Sequence, residues 1–248
     1  MFVSREAWGS VSTSRTQVYA ALPELFIHHT GAGSIPADAA AEMLMMRNLQ
    51  AYAIRPKAEG GKGYHDLDYN LLVGNVTGNI YEGRGLDYGS AATLDRNQVS
   101  RSICAIGNYE TANPTGALLE GIIQAAALLV DAGRLAADAV VYGHRDNPAH
   151  PAATSCPGRL LYAHLPYLAH RISTLEADDM STARMVRENG YLNVWLVGSG
   201  PALHLSPEVA ESYKAEGVQM IVQTHPQLLK AMLAQSGMTE ADLVPGGS

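Results

Sequence analysis

The stretch from residue 139 to residue 158 constrains the chain most. It reads Ala139-Val140-Val141-Tyr142, then Gly143-His144-Arg145-Asp146, a short polar loop, and Thr154-Ser155-Cys156-Pro157-Gly158. A β-branched run followed by glycine is a strand that ends at a turn, and a Pro-Gly pair punctuates the chain again after the cysteine. An imidazole therefore stands just past a strand, with a thiol twelve positions on at the mouth of a helix. Imidazole nitrogen and thiolate sulfur are donors that zinc prefers, but two are too few for one ion. The best further supplier is Leu25-Phe26-Ile27-His28-His29-Thr30, a second apolar strand ending in histidine. Two histidines and one cysteine leave one tetrahedral corner open, which separates a catalytic zinc from a structural one.

The 248 residues give room for one full core and a small second unit, since single domains run about 100 to 200 residues. A formal net charge of −7, with no dense Lys/Arg cluster, argues against nucleic acid or an anionic membrane surface as main partner. A neutral or polymeric substrate fits better. There are two cysteines, too few for a disulfide framework, and Cys104 in Ser102-Ile103-Cys104-Ala105-Ile106 reads as a small buried hydrophobe. No stretch approaches the roughly 18 uninterrupted apolar residues of a membrane span, so no membrane insertion is expected. Met1-Phe2-Val3-Ser4-Arg5-Glu6 has no apolar signal-peptide core, and the expectation is a chain made in a cytoplasm without its own export signal.

Along the chain, Pro36 at a first helical position predicts a helix to about Tyr52, with Ala41, Met45, Leu49 and Tyr52 on one face. Residues 56–63 read as an exposed glycine-rich loop beside whatever binds the substrate, and 83–97 as an irregular segment that could rim a cleft. Residues 69–73 and 78–82 predict paired strands, and 101–107 a strand buried on both faces. Residues 115–132 predict an apolar-striped helix stopped by Gly133. From Pro157 a helix carries Leu161, Leu165, Leu168 and Ile172, with Pro166 kinking or restarting it. The mixture implies an α/β (α+β) fold, a central mixed sheet flanked by helices. Residues 174–189 read as a linker or linking helix. A small α+β unit of ββαβα order follows over 190–248, with strands at 191–197, 202–205 and 218–223 and helices at 206–217 and after 224.

Seven ordered segments now carry a resemblance: Val3-Ser4-Arg5-Glu6-Ala7-Trp8, Ile27-His28-His29-Thr30, Asp66-Leu67-Asp68-Tyr69-Asn70, Ile80-Tyr81-Glu82-Gly83-Arg84-Gly85, Ile106-Gly107-Asn108-Tyr109, Gly143-His144-Arg145-Asp146 and Cys156-Pro157-Gly158. With these, residues 3–173 resemble the zinc amidases of the N-acetylmuramoyl-L-alanine amidase type, whose fold is shared by certain phage lysozymes and by peptidoglycan recognition proteins. The resemblance implies a catalytic domain over 1–173, a metal cleft, and hydrolysis of the amide between muramic acid and the first L-alanine of the peptidoglycan stem. It assigns Zn2+ to His28, His144 and Cys156, leaving His29 as a neighbour. Alternation agrees, since adjacent strand residues face opposite ways. Tyr69 stands at the family's catalytic tyrosine. Thr154, where relatives carry threonine or lysine, is a candidate donor to the tetrahedral oxygen, or else a residue that caps the next helix. Members that only bind peptidoglycan commonly lack the thiolate, so Cys156 favours an enzyme.

Two departures stand out. Ser90-Ala91-Ala92-Thr93 replaces a Gly-Ala-His-Thr segment, and Asp68 stands where glycine commonly precedes the tyrosine. Second-neighbour partners for the metal histidines are open between backbone carbonyls and Asp146. His65, His150, His164 and His170 read as surface residues, and Arg84 as a structural ion pair or turn anchor. The leading expectation is a phage endolysin, made in the bacterial host cytoplasm and acting on the wall after release. The alternatives are a bacterial autolysin or muropeptide-recycling amidase, and a recognition protein without catalysis. For the tail, wall binding and oligomerisation are equal readings.

Overall fold

Alternation is absent from residues 22–29 and 100–106 because these strands lie inside a sheet covered on both sides, and nearly every side chain on them is buried. The computed structural model describes residues 1–11, 13–31, 33–175, 184–188, 194–197, 203–205 and 220–223. Internal contacts divide the chain into two units, Met1–Ser173 and Thr174–Ser248.

In chain order the first unit runs β1 (Phe2–Val3), α1 (Arg5–Trp8), β2 (Leu22–His29), α2 (Ala39–Ile54), β3 (Leu71–Gly74), β4 (Ile80–Glu82), β5 (Ser100–Ile106), α3 (Gly116–Asp131), β6 (Leu135–Gly143), α4 (Arg159–Tyr162) and α5 (Leu165–Ser173). Its six strands are ordered β1-β4-β3-β5-β2-β6. β3 and β4 are antiparallel, as the hairpin pattern predicts, while β3, β5, β2 and β6 run parallel. The expected mixed sheet flanked by helices is what the chain forms.

Register sorts the faces. His28 lies opposite Cys104, Cys104 opposite Leu72, and Leu72 opposite Tyr81, so these four side chains share a face. Leu72, Tyr81 and Cys104 pack there with Trp8, Leu67 and Met46 of α2. The other face meets α3, where Val73 lies close against Gly121, and α5 packs on β6.

Two predicted elements of this unit differ. α2 begins at Ala39, not at Pro36, because the Asp38 carboxylate accepts the Ala41 N–H and caps the helix. Its buried residues are Glu42, Met46, Gln50 and Ala53, one position on from the predicted face, while Tyr52 is exposed. Glu42 takes hydroxyl bonds from Thr77 and Tyr81, and Gln50 donates to Asp66, so polar residues occupy positions that a hydrophobic pattern passes over. The helix predicted from Pro157 is two short ones, with Gly158 ahead of α4 and Pro166 in the first turn of α5. Pro157 lies outside both, whereas the restart at Pro166 agrees with the sequence.

In the second unit, β7 (Arg184–Glu188), β8 (Val194–Val197), β9 (Leu203–Leu205) and β10 (Met220–Gln223) form a sheet of order β10-β7-β8-β9. β8 and β9 pair antiparallel, and β10 lies parallel to β7. β7 stands within the stretch read as linker; charged residues at its ends disguised the apolar pair Met185-Val186. The helices predicted at 206–217 and after 224 lie outside the described residues.

Candidate metal centre

β2 and β6 run parallel with Ile27 opposite Gly143, so His28 and His144, one step further on each chain, meet side by side. Their ring centroids are 4.5 Å apart. The third side chain is returned by the loop after β6. The Arg145 N–H donates to the Cys156 carbonyl at 2.8 Å, and Leu160 N–H to the Tyr109 carbonyl at 3.0 Å. Gly158 makes this return possible: at φ +87°, a Cβ there would lie 2.4 Å from the Tyr109 carbonyl carbon. Cys156 Sγ then accepts the His29 N–H at 3.3 Å and lies 3.9 Å from His28 Nδ1.

One donor atom from each of His28, His144 and Cys156 lies within 4.8 Å of the others. Bonds of about 2.0–2.3 Å in a tetrahedron put donors roughly 3.3–3.8 Å apart, so this set fits zinc with little movement. Burial, with the neighbouring charges of His144, His29 and Lys62, holds His28 well below the usual histidine range. Burial and Lys62 lower His144 likewise. Both rings are neutral, and their lone pairs are free to bind a cation. Burial pushes the Cys156 thiol up to about 12, against the His29 N–H and the Arg145 charge. A cation must therefore displace a proton from sulfur.

Thr93 holds the other nitrogen of His28. Its hydroxyl lies 3.2 Å from Nε2 while Nδ1 faces Cys156, so with Nδ1 bound to metal Nε2–H donates to Thr93. Asn97 Oδ1 holds Thr93 in turn by accepting its N–H at 3.0 Å. Thr93 escaped the sequence reading because segment 90–93 was weighed only for its missing histidine. Asp146, a sequence candidate for this kind of role, holds the turn instead. Its carboxylate accepts the Gly143 N–H at 3.0 Å and the Tyr162 hydroxyl at 2.8 Å.

The Tyr69 ring lies 5.2 Å from that of His28. Burial, then the neighbouring Cys104, Asp68 and Cys156, raise its phenol well above the ordinary tyrosine value, so it is a proton carrier at neutral pH. The Thr154 hydroxyl accepts the Cys156 N–H at 3.1 Å, which leaves its own O–H able to donate. His29 points to the other face, its Nδ1 accepting the Tyr109 N–H at 3.2 Å. His65 and His170 are exposed, His164 is half-buried, and His150 pairs with Asp95 at 2.7 Å. Arg84 donates to the Leu67 carbonyl at 2.9 Å, a backbone anchor.

Residues 20–159 match the family model described as N-acetylmuramoyl-L-alanine amidase. Peptidoglycan-recognition protein SC2 of Drosophila simulans is 37% identical over 160 residues, which cover 63% of this chain and 79% of that one. The human N-acetylmuramoyl-L-alanine amidase is 32% identical over 154 residues, 61% of this chain and 25% of that one. A solved structure of human PGRP-IBETAC in complex with glycosamyl muramyl pentapeptide superposes with a TM-score of 0.58 at 27% identity, over 65% of this chain and 92% of that one. With His28, His144 and Cys156 all inside the matched span, the chain belongs to the N-acetylmuramoyl-L-alanine amidase family.

Proposed function

We propose that this protein is a zinc-dependent amidase that cleaves the amide between N-acetylmuramic acid and the first L-alanine of the peptidoglycan stem. The observation that carries this reading is the complete donor set, with the Cys156 sulfur beside two neutral imidazoles and all three within 4.8 Å. A structural relative that holds a muramyl pentapeptide supports a peptidoglycan substrate.

His28, His144 and Cys156 would hold the ion. Zinc bound there supplies Lewis acidity toward a carbonyl oxygen and toward water, whose pKa such sites lower to about 7. Thr93 keeps the His28 ring turned so that Nδ1 faces the site. Tyr69, protonated and packed on His28, donates its phenolic O–H to the oxygen that gains charge as the amide carbon becomes tetrahedral. Thr154 orders the Cys156 backbone and directs a neutral O–H toward the same developing charge, a weaker donor than an ammonium.

A second reading, recognition without hydrolysis, is favoured by the name of the Drosophila simulans relative. Zinc content, together with free L-alanine amino groups released from muramyl peptides, separates the two. Stoichiometric binding without amine release ends the enzyme reading. The endolysin setting draws no support from the insect and mammalian relatives, and an autolysin or recycling enzyme stands level with it. A lytic enzyme releases fragments from intact sacculi, whereas a recycling enzyme acts on soluble muropeptides alone.

A further inference from the structure

Lys62 has no part in the chemistry above, yet the fold pairs it with Asp68, the residue directly before Tyr69, whose ring packs on His28. The chain after α2 folds back on that helix: the N–H groups of Lys62, Gly63 and Tyr64 donate to the carbonyls of Tyr52, Arg55 and Ala53 at 3.1, 2.8 and 2.8 Å. The approach is close enough that a Cβ on Gly61 would lie 2.2 Å from the Arg55 carbonyl oxygen. A lysine on backbone pinned in this way is aimed, with part of its ordering cost already met by the fold.

Its ammonium pairs with Asp68 Oδ2 and lies 5.8 and 5.6 Å from the ring centroids of Tyr52 and Tyr64. The Lys62 side chain is 34% exposed and that of Asp68 8%, so the pair turns its positive end outward. Asp68 directly precedes Tyr69, whose ring packs on His28. Asp68 Oδ1 is buried without a hydrogen-bond partner. An ion pair with an unsatisfied buried oxygen adds little to stability, so its consequence lies in where it holds a charge.

We propose that Lys62 recognises a carboxylate on the peptide side of the scissile amide, making the site selective for stem peptides whose second residue carries a free α-carboxylate. This rests on the site binding a muramyl peptide, as proposed above. In a stem whose second residue is γ-linked D-glutamate, that carboxylate hangs one Cα step, about 3.8 Å, beyond the alanine. An ammonium has three donors, and Asp68 leaves some of them free for a second carboxylate.

Two N-acetylmuramoyl tripeptides identical except at this group, carboxylate in one and carboxamide in the other, provide the test. The wild-type protein is expected to show a KM about tenfold lower for the carboxylate form with kcat little changed. Lys62→Met removes the preference, Lys62→Arg keeps most of it, and Asp68→Asn enlarges it by freeing the ammonium. Equal KM for both peptides in the wild type, or a preference that survives in Lys62→Met, overturns the proposal. Calorimetric Kd values for the same peptides read the same preference without turnover. A carboxylate preference in Kd with no amine released supports Lys62 and retires hydrolysis, whereas equal Kd values overturn the role of Lys62 whatever the turnover.

Discussion

The two nitrogens of His28 divide the work of the site: Nδ1 faces Cys156 and Nε2 faces Thr93. Thr93→Ala should lower zinc affinity about tenfold or more while leaving the fold intact, because it frees the ring without removing a ligand. Competition against a chelator of known affinity measures this, and unchanged affinity would take Thr93 out of the metal centre. Tyr69→Phe keeps all three donors and should keep zinc, while kcat falls about a hundredfold if the hydroxyl acts as a positioned acid. Equal turnover would show that the phenol only packs. Asp68 gives a pH signature. Burial raises its carboxyl above 3.8, with Lys62 opposing, so the folded protein binds this proton more tightly than the unfolded chain. Stability from this group therefore grows as pH falls through the window between the raised folded value and 3.8. Compared with Asp68→Asn, the wild-type protein should gain denaturant stability as pH falls from neutrality toward 3.8, and parallel curves would contradict the assignment.

At the scale of elements, what could be read from sequence depended on whether a residue's partner is local. β2, β5 and α3 announced themselves because continuous or periodic apolar residues follow from each element's own burial. The three candidate metal donors were legible in part for the same reason, since His28 stands next to last in one apolar strand, His144 follows another, and Cys156 precedes a Pro-Gly turn. The buried face of α2 was not. Glu42 and Gln50 are tolerated inside only because Thr77, Tyr81 and Asp66 supply partners from distant segments, which no local pattern encodes. Thr93 was hidden likewise, since its meaning depends on a histidine 65 positions away. The polar seam is testable. The Tyr81 hydroxyl donates to Glu42 Oε2 at 2.7 Å, and Oε1 already lacks a partner. Tyr81→Phe leaves the buried carboxylate supported by Thr77, at a cost of about 1–2 kcal/mol. That lowers Tm by roughly 2–8 °C in a unit of this size, with zinc content unchanged. A thermal scan of the variant that overlays the wild type would mean the seam is held by something other than this bond.

The whole molecule places its chemistry where parallel strands must place it. β2, β5 and β6 run the same way, so the connections leaving their C-terminal ends gather at one edge of the sheet. Loops at that edge can carry ligands without disturbing the core, the usual location in sheets of parallel strands. His28, His144 and Cys156 all come from it, as do the Gly107 and Tyr109 backbones that brace Thr30 and Leu160. Every donor and every hydrogen-bond partner described at the site lies within Met1–Ser173, which has its own sheet, helices and core. A chain of residues 1–173 alone should therefore unfold cooperatively, bind zinc, and cleave a soluble muramyl tripeptide with kcat/KM within about threefold of the full protein. Intact sacculi read the other unit. If Thr174–Ser248 tethers the enzyme to the wall, removing it should lower fragment release by about tenfold or more, because a linked binding module raises local concentration. Equal release from sacculi would assign the second sheet to another task, and loss of activity on the soluble tripeptide would mean that the first unit is not catalytically complete.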